Sequence, residues 1–543
     1  MTNCHYLRQV VNMFEFAKIR DKPKVKSSVT HSDLFAEYFL IFCDIQHDSY
    51  DIYMSNGDKQ YGITDIKDTL KTIINNGQKR LKKGGCRILI FVSQIIVLKR
   101  LFPDAVAVKN DLKDSKMMCF IDEYFEIRDF ESLIGTGVVS LDSMIEWMGV
   151  YNKHPSKLKL SIASNAKSAF FQGISESCWQ DVVKNGRYIQ TLEDYKGLKA
   201  GSAAGFIYVD PEIIGEIIYD VSSFDKKSAY PSVFVNRSDF PIGKIIKKKI
   251  HKSQKLLDLI NANVWFQIAT ENLPVEFSMF KSKNYNTFGI NHLDLKIIDK
   301  LGLKNKLFDH LNHNEWTLFY SDAYGYLLNE VREKIVDLYD KKENAVDGSK
   351  RTFYKKQIDM LYGKGIQKYY PETDADVKRI YFRNGSSYIL PSFSYIAVSA
   401  VKYELFMEFL EDDFCVSCNT DGFKSFEKCP KLQAKFQKNN ESIFLQNKLA
   451  GFEGCNIGTW KHEYTADRFL MLAINQYAYE VDSKPVYKIS GVPKRAIIPY
   501  INKVSDPLIW LQNRPQIEFE ESKYYDENEK CYKSIIRTFQ FRR

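Results

Sequence analysis

The sequence predicts a mixed α/β (α+β) chain of several domains. Its 543 residues exceed the roughly 250–300 that one core supports. Hydrophobic residues at 44% and charged residues at 27% are the balance of a globular protein. Strand-length apolar runs (Tyr38 to Cys43, Ile88 to Val92, Met117 to Ile121) alternate with helical patterns through the first 200 residues, which is the signature of an α/β layer.

Along the chain, 1–200 reads as a first α/β domain. Small residues Ser202, Ala203, Ala204 and Gly205 follow as a boundary. A second body runs to about 460 and a third segment, 461–543, completes the chain, its end ESKYYDENEKCYKS reading as a solvated tail. No apolar run reaches the 18 or so residues of a membrane span, because Ser93 and Gln94 break the best candidate, Ile88 to Val97. The start lacks the apolar core of a signal peptide. Ten scattered cysteines read as reduced thiols of a cytoplasmic protein, with Cys415 and Cys418 as buried strand residues. A net charge of +9 suits a phosphate-bearing partner but does not require one. The run Lys247 to Lys249 fits either a DNA phosphate contact or a solvated edge.

Ile217 to Phe224 reads as a buried strand that delivers Asp225 at its end, with Ser228 to Ser232 starting the next element. Phe414 to Asn419 reads as another strand, and Asn-Thr-Asp-Gly makes a tight turn into Phe423. Two aspartates at neighbouring strand ends suit a pair of hard cations about 3.5–4 Å apart, the arrangement that neutralises attacking and leaving oxygens in phosphoryl transfer. Either aspartate alone is more simply a turn-closing residue.

Leu327, Val331, Ile335 and Leu338 fall at helical spacing, predicting an amphipathic helix over 325–345. Ser349 then caps a second helix that Gly363 ends. On it Arg351, Lys355, Asp359 and Tyr362 share one face. Two cations and a ring in a row fit a nucleoside triphosphate, and without the aspartate segments they would read as a solvated basic face.

Together these segments resemble the family B DNA polymerases. Asp225 to Ser232 matches D-x-x-S-x-Y-P-S at each defined position; Lys355 to Gly363 matches K-x-x-x-N-x-x-Y-G except for Asp359; Ser417 to Gly422 keeps the threonine and second aspartate of Y-x-D-T-D-S. Spacing, with AAGF at 203–206 and WKHEYTADRFLMLAINQYAYEV from Trp460, is similar to the protein-primed branch of small linear-genome phages and plasmids. The resemblance covers about 205–495. It implies a ribonuclease-H-like exonuclease-type domain at 1–200, then a right-hand polymerase. The palm would span 201–460, with an inserted segment at about 255–325 and helical fingers at about 325–365, and 461–543 would be thumb and tail. It further implies that Asp225 and Asp421 hold two Mg2+ or Mn2+ ions. Tyr230 would lie under the incoming sugar and exclude a 2′-hydroxyl, and Arg351 and Lys355, with Lys341 or Lys342 in addition, would hold the phosphates of the incoming nucleotide. Tyr362 and Gly363 would shape the base-pair pocket, and Tyr477, Lys364, Ala204 and Gly205 would contact primer-template.

The departures carry their own expectations. Asn419 replaces the first aspartate of the third signature, and Asn475 replaces the basic residue two positions before Tyr477. The exonuclease carboxylates are largely lost: D-x-E is Asp44-Ile45-Gln46, and the later acids align with Val97 and Gly186. One carboxylate cannot hold two cations, so proofreading is expected to be absent, leaving the domain as a scaffold that grips single-stranded template. Only Gly365 to Leu390 separates Lys364 from Pro391, short for the branch's strand-displacement hairpin, so displacement is expected to be weak. The leading expectation is a DNA-directed DNA polymerase without proofreading, using DNA primer-template, dNTPs and a terminal priming protein in the cytoplasm of a bacterial host. A specialised untemplated or protein-priming nucleotidyltransferase of a mobile element or defence system is the first alternative. An inactive DNA-binding protein is the second, disfavoured because a pure binder has no need of converging carboxylates.

Overall fold

The computed structural model describes residues 37–44, 49–54, 57–64, 88–93, 118–121, 125–130, 140–151, 170, 191–200, 205–250, 254–281, 287–346, 348–365, 372–376, 391–426, 429–492, 494–526 and 531–541. The N-terminal part holds β1 (Glu37–Asp44), β2 (Ser49–Met54), β3 (Lys59–Ile63), β4 (Ile88–Val92), β5 (Met118–Ile121), β6 (Phe125–Asp129) and helix α1 (Leu141–Tyr151). The strands form one sheet in the order β3-β2-β1-β4-β6-β5. β1, β4 and β6 are parallel to one another; β1 and β4 carry the apolar runs, with Leu40, Ile41, Ile90 and Phe91 fully buried. The antiparallel β2–β3 hairpin covers one edge.

Next come α2 (Leu192–Ala200), β7 (Ile207–Val209), β8 (Ile217–Lys226), α3 (Ala229–Asn236) and the two-residue β9 (Phe240–Pro241). An inserted body follows: β10 (Ile245–Ile250), α4 (Gln254–Asn261), β11 (Phe266–Thr270), β12 (Phe288–Asn291), α5 (His292–Lys300), α6 (Lys304–His313) and β13 (Trp316–Ser321). Its sheet runs β10-β13-β11-β12 around a core that includes Phe266, Ile268, Phe277, Ile290 and Trp316. Asn291 starts α5 with a full capping box, its side chain accepting from the Leu293 and Asp294 amides while Asp294 accepts from its own. Lys247 pairs with Glu193 and Asp194, and Lys249 with Glu193 and Glu315, so two of the three lysines in that run tie β10 to α2 and β13.

β14 (Tyr324–Gly325) pairs with β9 and leads to α7 (Asn329–Glu343) and α8 (Gly348–Gly365). Val331, Ile335 and Leu338 are buried as their spacing requires. The cap and stop of the second helix differ from expectation. α8 already includes Gly348, so Ser349 lies within its first turn, and the helix passes Gly363 to Gly365; an isolated glycine lowers helix stability without ending it. α9 (Pro391–Leu410) is apolar on nearly all sides and buried from Phe393 to Lys402, as a helix packed between other elements must be. It is latched to α5 by the buried Lys402–Asp294 ion pair and by Asn291 donating to Ser399 Oγ at 2.7 Å.

The last elements are β15 (Cys415–Asn419), β16 (Gly422–Ser425), α10 (Cys429–Leu449), β17 (Trp460–Ala473), β18 (Gln476–Val481), β19 (Lys484–Ile489), α11 (Lys494–Ile501), α12 (Pro507–Gln512), β20 (Ile517–Asp526) and β21 (Cys531–Phe539). Seven strands make the central sheet, β19-β18-β17-β8-β16-β15-β7. The charged stretch near the end, expected to be a loose tail, is instead the antiparallel β20–β21 hairpin. Two compact units result, 1–174 with 337–360, and 175–336 with 361–543. Among the described residues no helix is long and apolar enough to cross a membrane.

A candidate two-carboxylate site at the end of the central sheet

β8 is the middle strand of the central sheet, flanked by β16 and β17. Val221 to Phe224 are buried and Asp225 is half-buried where the strand ends, so the carboxylate stands at the border between core and solvent. Register puts Asp225 opposite Gly422 on β16 and opposite Lys461 on β17. Directly opposed residues share a sheet face. A Cβ at Gly422 would stand 3.6 Å from Asp225 Oδ1, an ordinary contact distance, so position 422 lies directly beside the carboxylate.

Asp421 enters through the β15–β16 turn. Asn419 pairs with Gly422, leaving Thr420 and Asp421 as the connection. Thr420 has φ +57°, a left-handed backbone that a β-branched residue rarely adopts. The Asp421 amide donates to Asn419 O at 2.7 Å, closing a tight turn. Thr420 Oγ1 lies 2.8 Å from Asn419 O and 2.8 Å from Asp421 Oδ1, so it is placed to orient the carboxylate. The Lys226 amide donates to Asp421 O at 3.0 Å, binding the tip to the end of β8. Strain of this kind persists only where surroundings over-determine it, and it concentrates at functional sites. The end of β8 and the β15–β16 turn are neighbours through the cross-strand ladder.

Other anticipated residues join this cluster. Tyr230 lies in the first turn of α3, after Ser228 at φ +47°. A Cβ on Gly205 would stand 3.3 Å from the Tyr230 hydroxyl and 3.6 Å from Thr420 Cα, and Thr420 N donates to Phe206 O at 3.2 Å. The small-residue segment is thus stitched to the aspartate turn, while Ala204 lies outside the described residues. Tyr477, on β18, is nearly buried with Lys424 at 5.0 Å and Lys488 at 5.7 Å from its ring centroid. It stacks with Phe469 at 5.5 Å and lies beside Tyr479 at 6.2 Å.

One contact was not foreseen. Asn419 Nδ2 donates to Asn475 Oδ1, joining the aspartate turn to the β17–β18 turn, where Asn475 has φ +61°. These are two of the positions at which the signatures are broken, and those two meet. Fifty-six residues separate them, beyond the reach of any local pattern.

In the other unit, Arg351 and Lys355 are exposed on α8 and Asp359 is half-buried, one turn apart in sequence order. Phe353, Gln357 and Ile358 occupy the buried side. Lys341 pairs with Asp337 at 2.9 Å and Lys342 with Glu343 at 3.0 Å. Tyr362, Gly363 and Lys364 continue the helix, but their side chains lie outside the described residues. Asp44 ends β1 with its side chain likewise outside, as are Gln46, Val97 and Gly186. Cys415 and Cys418 are buried thiols with sulphurs 3.6 Å apart, close because a bulge at Val416 interrupts the ladder. The hydrogen bond with Cys418, and then burial, push the Cys415 thiol far up, so Cys415 is inert under ordinary conditions.

No protein-family model matches the chain, and no curated protein does. Solved structures do. A Phi29 DNA polymerase complexed with primer-template DNA and incoming nucleotide substrates superposes with a TM-score of 0.57 at 10% identity, over 93% of this chain and 99% of that one. The same polymerase complexed with single-stranded DNA gives 0.57 at 11% identity, covering 93% and 100%. The chain shares the fold of those structures along nearly its whole length.

Proposed function

We propose, from that shared fold and the two carboxylates, that this protein is a DNA-directed DNA polymerase. It would add dNTPs to a 3′ hydroxyl, or to the hydroxyl of a priming protein, without 3′–5′ proofreading. The observation that carries the reading is the register of β8 against β16, which brings Asp225 beside the turn holding Asp421. Two half-buried carboxylates at one strand end are a hard-oxygen donor set. Among the described residues no group of three or more His, Cys, Asp or Glu side chains clusters as a metal site. On this reading Asp225 and Asp421 would supply carboxylate ligands, with substrate oxygens beside them. Bound Mg2+ or Mn2+ would lower the cost of charge on the attacking and leaving oxygens.

The remaining steps fall to the chain's own side chains. Thr420 orients the Asp421 carboxylate through its hydroxyl. Tyr230 stands beside the aspartate turn, its hydroxyl against Gly205, where a ring can support the incoming sugar and refuse a 2′-hydroxyl. Arg351 and Lys355, exposed on α8, would take the triphosphate, Arg351 by paired hydrogen bonds and Lys355 as a point charge. Tyr477, flanked by two ammonium groups, would meet the primer strand. The mapping of Asp44, Gln46, Val97 and Gly186 leaves one editing carboxylate of four, the basis for proposing no exonuclease.

Primer extension with each single dNTP, with and without template, tests the reading. Template-dictated incorporation is the expected result. Incorporation indifferent to template would assign a specialised nucleotidyltransferase instead, and DNA binding without incorporation would leave an inactive polymerase fold.

A further inference from the structure

An N-terminal domain that has lost its editing acids needs another reason to persist, and its core contains one. Helix α8 does not lie free on that domain. Phe353, near the start of the helix, is 2% exposed and belongs to the same apolar cluster as Leu40 of β1, Phe91 of β4, Phe130, Met144 and Trp147. Leu40 and Phe91 are register partners on adjacent strands. These are the strands whose ends the editing site would have used, so the floor beneath Phe353 is the domain's own sheet. Trp147 of α1 meets the Phe353 ring edge-on, at 5.9 Å between centroids and 84° between planes, the geometry aromatic pairs favour. Tyr354 packs against the cluster's margin, and Lys350 reaches Glu146 of α1 at 2.8 Å. The opposite side of the helix carries exposed Arg351, Lys355 and Lys356. One side of α8 is therefore built into the N-terminal domain's core, and the other side is left as a cationic face.

We propose that the N-terminal domain is the seat of the nucleotide-binding helix. Trp147 and Phe353 are positioning residues that fix the rotation of α8 and so decide where Arg351 and Lys355 point. A helix turned about its axis by one residue moves each side chain by about 100°, which would carry both cations off a bound triphosphate. Burial of a large aromatic ring supplies the resistance to such turning. The domain is thus retained for the packing of its sheet and α1, whatever has become of its editing chemistry. This rests on the reading that α8 grips the triphosphate.

The test is steady-state single-nucleotide extension by the full chain, with primer-template affinity measured separately without dNTP. Trp147→Ala and Phe353→Ala should each raise the KM for dNTP about three- to tenfold, the worth of one aromatic pair. Changes in kcat should be smaller and primer-template affinity unchanged. Because both variants remove the same contact, the double variant should be no worse than the worse single one, and Trp147→Phe should restore most of the loss. Thermal unfolding identifies a variant that fails to fold; Trp147→Phe and Phe353→Leu then carry the comparison, with smaller KM increases of the same kind. Unchanged KM in folded variants, or losses that simply add, would overturn the proposal. Lys355→Ala separates the two layers. If it raises KM while Trp147→Ala does not, only the seat is wrong; if Lys355→Ala leaves KM alone, the triphosphate reading fails and the seat with it.

Discussion

Near the tip of β8, Asp225 lies opposite Gly422, the first residue of β16. Asp421 reaches the same place through a turn in which Thr420 accepts a left-handed backbone. Removing a preorganised charged group from such a site costs on the order of 10²–10³ in rate. Asp421→Asn is therefore expected to lower single-nucleotide incorporation by about that factor with little change in thermal midpoint; undiminished incorporation would remove Asp421 from the site. The Asn419–Asn475 hydrogen bond is a smaller matter. A neutral bond contributes about 0.5–1.5 kcal/mol, so Asn475→Ala should slow extension about two- to tenfold by loosening the turn that carries Asp421. The aspartates were legible because each sits at a strand end marked by its own neighbours. The asparagine contact was not, since nothing local links residues 56 apart.

Elements set how firmly these residues are held. The loop before β17 is seated by Gly458, at φ +84°, where an added Cβ would come 2.7 Å from Ser232 Cβ on α3. Gly458→Ala combines left-handed strain of about 1–3 kcal/mol with that overlap. It should lower the thermal midpoint and impair extension together, whereas a lowered midpoint with normal extension would show that α3 tolerates the shift. A second joint binds β9 to α5. Asp239, one residue before β9, lies between Arg237 and His292, with His292 Nε2 at 2.6 Å and Arg237 Nη2 at 2.6 Å. Burial raises the Asp239 carboxyl, but the hydrogen bonds and charges of His292 and Arg237 outweigh it and hold the group well below its ordinary range. Burial pushes His292 below its ordinary value against the pull of Asp239. Both folded-state values lie below the unfolded ones, so on acidification the unfolded chain takes up protons first. The stability these groups contribute is present above the unfolded histidine value of about 6.5 and is lost as pH falls, first through His292 and then through Asp239. Thermal midpoints measured from about pH 8 to about pH 5 should decline below that value, and His292→Asn should flatten the decline. Helix α7 and strands β8, β15 and β16 were readable from periodicity and apolar runs. The ends of α8 were not, because a serine and a glycine favour caps and stops only where the surrounding chain permits them.

The polymerase proposed for the molecule as a whole would build without checking. Metal-supported removal of 3′ nucleotides is expected to be absent, and a rate abolished by Asp44→Ala would contradict that. Extension from a nicked circle is expected to stall early, given the short span between Lys364 and Pro391; long products without helper proteins would refute it. The sequence by itself determined the two strand-end aspartates, the amphipathic α7 and the cations on α8. Each of these is a periodicity or a short run, and short-range sterics and hydrophobicity suffice to write it. Only the tertiary structure decided that β17 and β16 flank β8, that Asn419 meets Asn475, and that Phe353 sits in the core of the N-terminal domain. Those contacts join residues far apart in the chain. Cross-strand register and close packing select them, and both depend on the shape of the whole and leave no local mark.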